Sequence, residues 1–184
     1  MSCNGRKAMR CVKNVVSSAV LYFLYCGFYE LSKCDSRVKS EVDEWETGRT
    51  YCLTCGEGAP TLIIRKGENG LERVDGTDNA DVAFAFKSLE KAFLVLSGRQ
   101  SVAGAYAAHS FMLSGDIGKG MSFARCVDLV ERYLFPPIIT SRILKENPAK
   151  QCSSIVLYAK IIAQTLIFKY KKVPTACAQK TVKA

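Results

Sequence analysis

The sequence predicts an α+β domain, on three observations. Strand patterns crowd into residues 50–87 and recur once near residue 111. Helical spacing fills the chain before and after them. The 184 residues, 48% of them hydrophobic, are enough for one core and lack the composition of a disordered chain.

The first element follows from "RKAMRCVK" and "NVVSSAVLYFLYCGFYEL", a basic start and an apolar run. That run, Val15 to Tyr29, is about fifteen residues, short for a membrane span, and Glu30 and Lys33 close it without a small-residue cleavage signal. A helix over 15–29 is expected, amphipathic or buried rather than an anchor. Tyr22, Phe23, Tyr25, Phe28 and Tyr29 wrap most of its surface, which suits burial between a sheet and another layer or a place in a membrane interface. "DSRVKSEVDEWETG" is polar and charged, and reads as the exposed end of that helix or a linker.

Strands come next. "TYCLTCG" alternates, "GEGAP" turns, "TLIIRKG" is β-branched and apolar, and "ENGLERVDG" adds a short strand after a hairpin-like Asn69-Gly70. "ADVAFAFKS" puts Val82, Phe84 and Phe86 on one face and Ala83 and Ala85 on the other. In "SLEKAFLVLSG", Ser88 caps a helix, Leu89, Phe93 and Leu96 form its apolar face, and Gly98 stops it. "SVAGAYAAH" is a second helix.

The alternating "HSFML" then ends at Ser114-Gly115-Asp116. Gly115 supplies a turn and Asp116 caps the helix "IGKGMSFARCVDLVERYLF", which halts at Pro136-Pro137. A short helix is expected in "IITSRILKE". The last one, over 155–168, is apolar on most of its surface, with Ser153, Lys160 and Gln164 as a narrow polar strip. The chain divides into an N-terminal helix and charged linker packing on the domain (1–49), a core (50–145), and an apolar helix with a basic tail (146–184).

Charge excludes one class of partner. Of the net +9, residues 1–13 hold Arg6, Lys7, Arg10 and Lys13 and residues 147–184 hold seven lysines, with no acid in either. The ends therefore carry +11 and residues 14–146 are left at −2. A nucleic-acid face on the core is unsupported, and no interleaved basic and aromatic pattern lies on the strands. The ends are solubilising tails or make transient contact with anionic membrane. Nine cysteines, scattered and odd in number, read as reduced thiols of a cytoplasmic protein, peripheral at a membrane if the basic ends touch one.

No constellation completes an active site. Cys52 and Cys55 form a CxxC, but it lies in or after a strand and lacks two further zinc ligands, so both read as core or turn cysteines. His109, the single histidine, and Asp116 are the weak catalytic candidates, with a predicted strand and turn between them. "GENG" and "GDIGKG" match neither phosphate-loop pattern. No metal or cofactor is expected.

Residues 79–123, "NADVAFAFKSLEKAFLVLSGRQSVAGAYAAHSFMLSGDIGKGMSF", resemble the sterol carrier protein 2 domain. The likeness lies in the order of parts: a "DVAFAF" strand, a helix ending Leu96-Ser97-Gly98, Ser101 opening the next, an alternating strand, then Ser114-Gly115-Asp116 and a helix. It extends over 50–145 when the earlier strands are included. The resemblance implies a five-stranded, mixed and mostly antiparallel sheet covered by helices, to which this chain adds apolar helices at both ends. It also implies an apolar tunnel for sterols, fatty acyl chains or other lipids, with Phe84, Phe86, Phe93, Leu96, Phe111, Leu113, Met121 and Phe123 as its candidate lining. The family brings no standard catalytic residue.

The leading expectation is thus a non-enzymatic module that binds or carries an apolar ligand. The alternative is a closed core whose two terminal helices form a homodimer or rest on a bilayer. The third is an enzyme acting on a lipid-like substrate through His109, Asp116 or a cysteine.

Overall fold

The computed structural model describes residues 3–76, 80–136, 140 and 150–167. Thr140 apart, the helix expected within 138–146 lies outside them, as do all the tail lysines beyond Lys160. The elements are α1 (Cys3–Cys34), α2 (Ser36–Asp43), β1 (Thr50–Thr54), β2 (Thr61–Gly67), β3 (Gly70–Val74), β4 (Val82–Phe86), α3 (Leu89–Leu96), α4 (Val102–Ala107), β5 (Phe111–Gly115), α5 (Ile117–Leu134) and α6 (Ser154–Ile167). The strands form one sheet in the order β3-β2-β1-β4-β5. Only the β1–β4 pair is parallel, so the sheet is mixed and mostly antiparallel as expected.

Register decides which face becomes the core. Leu53 pairs with Leu62 and with Phe84, Tyr51 with Ile64 and Val82, and Phe86 with Phe111. Paired residues share a face, so these side chains line one side of the sheet, where α1, α3 and α5 cover them. The opposite side shows Ala85, Arg65, Glu72 and Met112 to solvent. Phe123 of α5 stacks on Tyr51 at 5.4 Å and on Phe28 of α1 at 5.3 Å, and Trp45 packs beside all three. Full burial of each such ring is worth about 1.5–3 kcal/mol.

The caps fall where the sequence puts them. Ser88 Oγ accepts from Lys91 N–H, Ser101 Oγ from Gly104 N–H, and Asp116 Oδ1 from Lys119 N–H at 2.9 Å. Gly115 has φ +94°, and a Cβ there would overlap the Asp81 carbonyl oxygen, so the β5–α5 turn requires glycine. In the β2–β3 hairpin the register closes at Gly67 and Gly70, so the two loop residues are Glu68 and Asn69 rather than Asn69 and Gly70.

Two expectations are corrected. The first helix is longer than 15–29 at both ends. The charged stretch after it is no exposed linker: Asp35 caps α2, and Val38, Val42 and Trp45 are buried. These three residues recur at helical spacing, so the charges occupy the outer face. Trp45 Nε1–H donates to Ser122 Oγ at 2.8 Å, and Ser122 in turn donates to Glu41, which Arg125 also holds.

Candidate functional site

The close crossing of α1 and α5 starts from one glycine. A Cβ on Gly27 would lie 2.5 Å from Val130 Cγ1, so the two helices meet there at a distance only glycine permits. On the far side α6 lies across them. Lys160 pairs with Glu30 at 3.4 Å, the Tyr158 hydroxyl donates to the Leu134 carbonyl, and Leu157 and Ile161 are buried. The approach to α6 is tied down as well. Tyr133 Oη accepts from the Gln151 and Cys152 N–H groups, at 2.8 and 3.4 Å, while donating to Asp35.

These helices enclose a half-open groove of about 170 Å³. Val20, Phe23 and Leu24 come from α1, Leu96 from α3, Leu134 from α5, and Phe135 and Tyr158 complete the apolar wall. Among the described residues the remaining lining residue is Glu131. A second space of about 20 Å³ lies deeper, between the helices and the sheet, and Leu24, Leu96 and Glu131 border both. The inner one holds about a single water by volume. A wider cleft of about 430 Å³ at the β1–β2 turn is lined by Gly56, Gly58, Ala59 and Arg73 among others. None of the buried, unpartnered polar atoms among the described residues belongs to it.

Glu131 departs from its surroundings. It is 3% exposed, and its Oε2 has no hydrogen-bond partner among the described residues. Burial, with a smaller contribution from Asp128 one turn earlier, pushes its carboxyl up to about 8. Asp128 is itself raised to about 6 by burial. Burial thus favours the neutral, protonated form of Glu131, which is able to donate and to accept, in a wall whose other described residues are apolar apart from the Tyr158 hydroxyl.

Of the residues expected to line a cavity, Phe84, Phe86, Leu96, Phe111 and Phe123 converge on the 20 Å³ space and nearly fill it with their own side chains. Leu96 also faces the outer groove. Phe93 and Leu113 are half-buried and border neither space, and Met121 is 49% exposed. His109 and Asp116 are both exposed and sit at opposite ends of β5, about 20 Å apart at the usual rise per residue. Asp116 spends its carboxylate on the α5 cap.

Cys52 and Cys55 are buried, and burial raises both thiols, Cys55 to about 12. Among the described residues no group of three or more His, Cys, Asp or Glu side chains gathers to hold a metal ion. Sequence reasoning missed Glu131, Val20 and Leu134. The one local signal for Glu131 is an acid beside an apolar run in "VDLVERYLF".

No family model matches the sequence, and no curated protein does. Solved structures do match. The "UbiJ-SCP2 Ubiquinone synthesis protein" is similar at 16% identity and TM-score 0.41, over 67% of this chain and 98% of that one. Sterol Carrier Protein 2 Like 2 from Aedes aegypti is similar at 16% identity and TM-score 0.33, over 52% and 94%. A conserved hypothetical protein from Thermus thermophilus is similar at 15% identity and TM-score 0.42, over 69% and 89%. The chain is thus distantly similar in structure to proteins of the sterol carrier protein 2 type.

Proposed function

We propose that this chain binds an apolar ligand, such as a lipid, a fatty acyl chain or a sterol, without transforming it. The observation that carries this reading is the groove between α1, α3, α5 and α6, whose described lining is apolar apart from Glu131 and the Tyr158 hydroxyl. Its volume of about 170 Å³ compares with the roughly 150 Å³ apolar cavity that accepts benzene. About six carbons are enclosed, worth roughly 5 kcal/mol before ordering costs. Such a site exchanges its ligand rather than storing it tightly.

The test is displacement of a fluorescent fatty-acyl probe from the full-length protein and from Val20→Trp, which fills the groove. Saturable uptake near one probe per chain, lost in Val20→Trp, supports the reading. No uptake by the wild-type protein, or equal uptake by both, contradicts it.

A second reading is favoured by one surface. Met9, Val12, Val15 and Val16 are exposed on α1 beside Arg10 and Lys13, an arrangement suited to an anionic bilayer. By length and composition Ala8–Cys34 is able to cross a membrane, yet Leu21, Leu24, Phe28 and Leu31 of that helix are in the core. The helix in this fold lies on a surface at most with its first turns. Co-sedimentation with phosphatidylserine vesicles, abolished by Val12→Glu with Val16→Glu, is the expected result. Vesicles that leave the wild-type protein in the supernatant contradict it.

A further inference from the structure

We propose that Glu131 anchors the ligand's head group, and that the groove prefers a chain ending in an uncharged hydroxyl over one ending in a carboxylate or an ammonium. This rests on the groove being the ligand site. Among the described residues every other lining residue is apolar except Tyr158, whose hydroxyl is already engaged by the Leu134 carbonyl. Glu131 Oε2 is the polar atom left without a partner, on a side chain that is 3% exposed and borders both the groove and the deeper space. Such an atom is costly to the folded protein unless something meets it. A ligand group that does so gains a bond without displacing one.

The chemistry of the partner follows from the acid's setting. Asp128 lies one turn away on the same helix, and no cation pairs with Glu131 among the described residues. A carboxylate entering head first would lose its water in an apolar wall, with the Asp128 acid one turn behind Glu131. An ammonium would have to shed its hydration and ionise Glu131 inside an apolar wall, which the pair's attraction does not reliably repay. A hydroxyl has one donor and two acceptor positions, as a neutral carboxyl has one donor and spare acceptors, so the two bond reciprocally at little desolvation cost.

The experiment is titration of the full-length protein with 1-octanol, octanoate and octylamine, whose chains are equal. Wild type, Glu131→Gln and Glu131→Leu are compared, with thermal melts confirming that each is folded. The expected result is about tenfold tighter binding of 1-octanol than of either charged probe, on the scale of one net hydrogen bond. Glu131→Gln, which keeps a donor and an acceptor, should retain the preference. Glu131→Leu should weaken 1-octanol about tenfold.

Equal affinities for the three probes, tightest binding of octylamine or octanoate, or a Glu131→Leu variant that holds 1-octanol as well as wild type each overturn the anchor and leave the apolar groove standing. Failure of all three probes to bind overturns both.

Discussion

Tyr133 and Asp35, 98 positions apart in the chain, share a 2.6 Å hydrogen bond in which the phenol donates to a fully buried carboxylate. The same carboxylate caps α2 and holds the Arg37 side chain through two bonds, at 3.0 and 2.6 Å. Tyr133 Oη meanwhile accepts from the backbone leading into α6. One side chain thus ties the end of α1, the start of α2 and the last helix together. That sets the outer wall of the groove.

Tyr133→Phe leaves the ring in place and removes this junction. Loss of a hydrogen bond to a buried charge should cost about 1.5–3 kcal/mol in urea unfolding. Amide exchange over residues 154–163 should speed up more than exchange in β1 or β4. Unchanged exchange in α6 would show that Lys160 and Tyr158 hold the helix unaided.

The two buried acids should bend the pH–stability curve in opposite directions. Burial alone would raise Asp35, but its bonds from Arg37 and Tyr133 outweigh that and hold it down to about 2. Its stabilisation, about 2 kcal/mol, is present above the unfolded value near 4 and is lost as pH falls through about 2.

Glu131 is raised, so the unfolded chain gives up its proton first. Stability falls from about pH 4.5 to about pH 8, by a few kcal/mol, and then levels. Urea midpoints from pH 2 to 9 should therefore lose the slope between about pH 6 and pH 8 in Glu131→Gln, the part below pH 6 belonging also to Asp128. Asp35→Asn should show a shallower acid slope, where Glu41 and other lowered carboxylates remain. An unaltered alkaline slope in Glu131→Gln would place the titrating group elsewhere.

Gly115→Ala tests the turn from sheet edge to α5. The positive φ and the Asp81 carbonyl both oppose a Cβ, so a loss of at least about 2 kcal/mol is expected. A thermal melt within a degree or two of wild type would show that the turn relaxes at no cost.

Cys34 should be slow to alkylate although it is exposed. Burial of its sulfur, followed by its contact with Cys152, pushes the thiol up to about 12, and Cys152 Sγ is itself bonded to the Cys34 carbonyl at 2.8 Å. The thiolate is the reacting form, so the raised thiol is little ionised at pH 8. Peptide mapping after iodoacetamide at pH 8 should find exposed Cys11 modified before Cys34, and Cys152→Ala should accelerate Cys34. Equal rates for the two cysteines would contradict this.

What was legible in the sequence is what is local. Val82, Phe84 and Phe86 alternate, and Ser88, Ser101 and Asp116 each stand one residue before a helix, so strand β4 and three caps needed no tertiary information. The helix α2 was hidden because its charged residues outnumber its apolar ones, and only the spacing of Val38, Val42 and Trp45 marks the buried stripe.

The groove was hidden for a different reason. Glu131 sits on a helix whose other acid, Asp128, carries the same local pattern, and its burial is imposed by Leu24 and Leu96 from distant parts of the chain. The phenylalanines at 84, 86, 111 and 123 face inward, and how much space they leave is a matter of packing that alternation does not encode.

The most direct test of the central claim is a crystal structure of the full-length protein grown with saturating 1-decanol. Continuous density is expected between Val20, Phe23, Leu134 and Tyr158, with the hydroxyl within hydrogen-bond distance of Glu131 Oε2. An empty groove beside an unchanged core, or density confined to another surface, would contradict it.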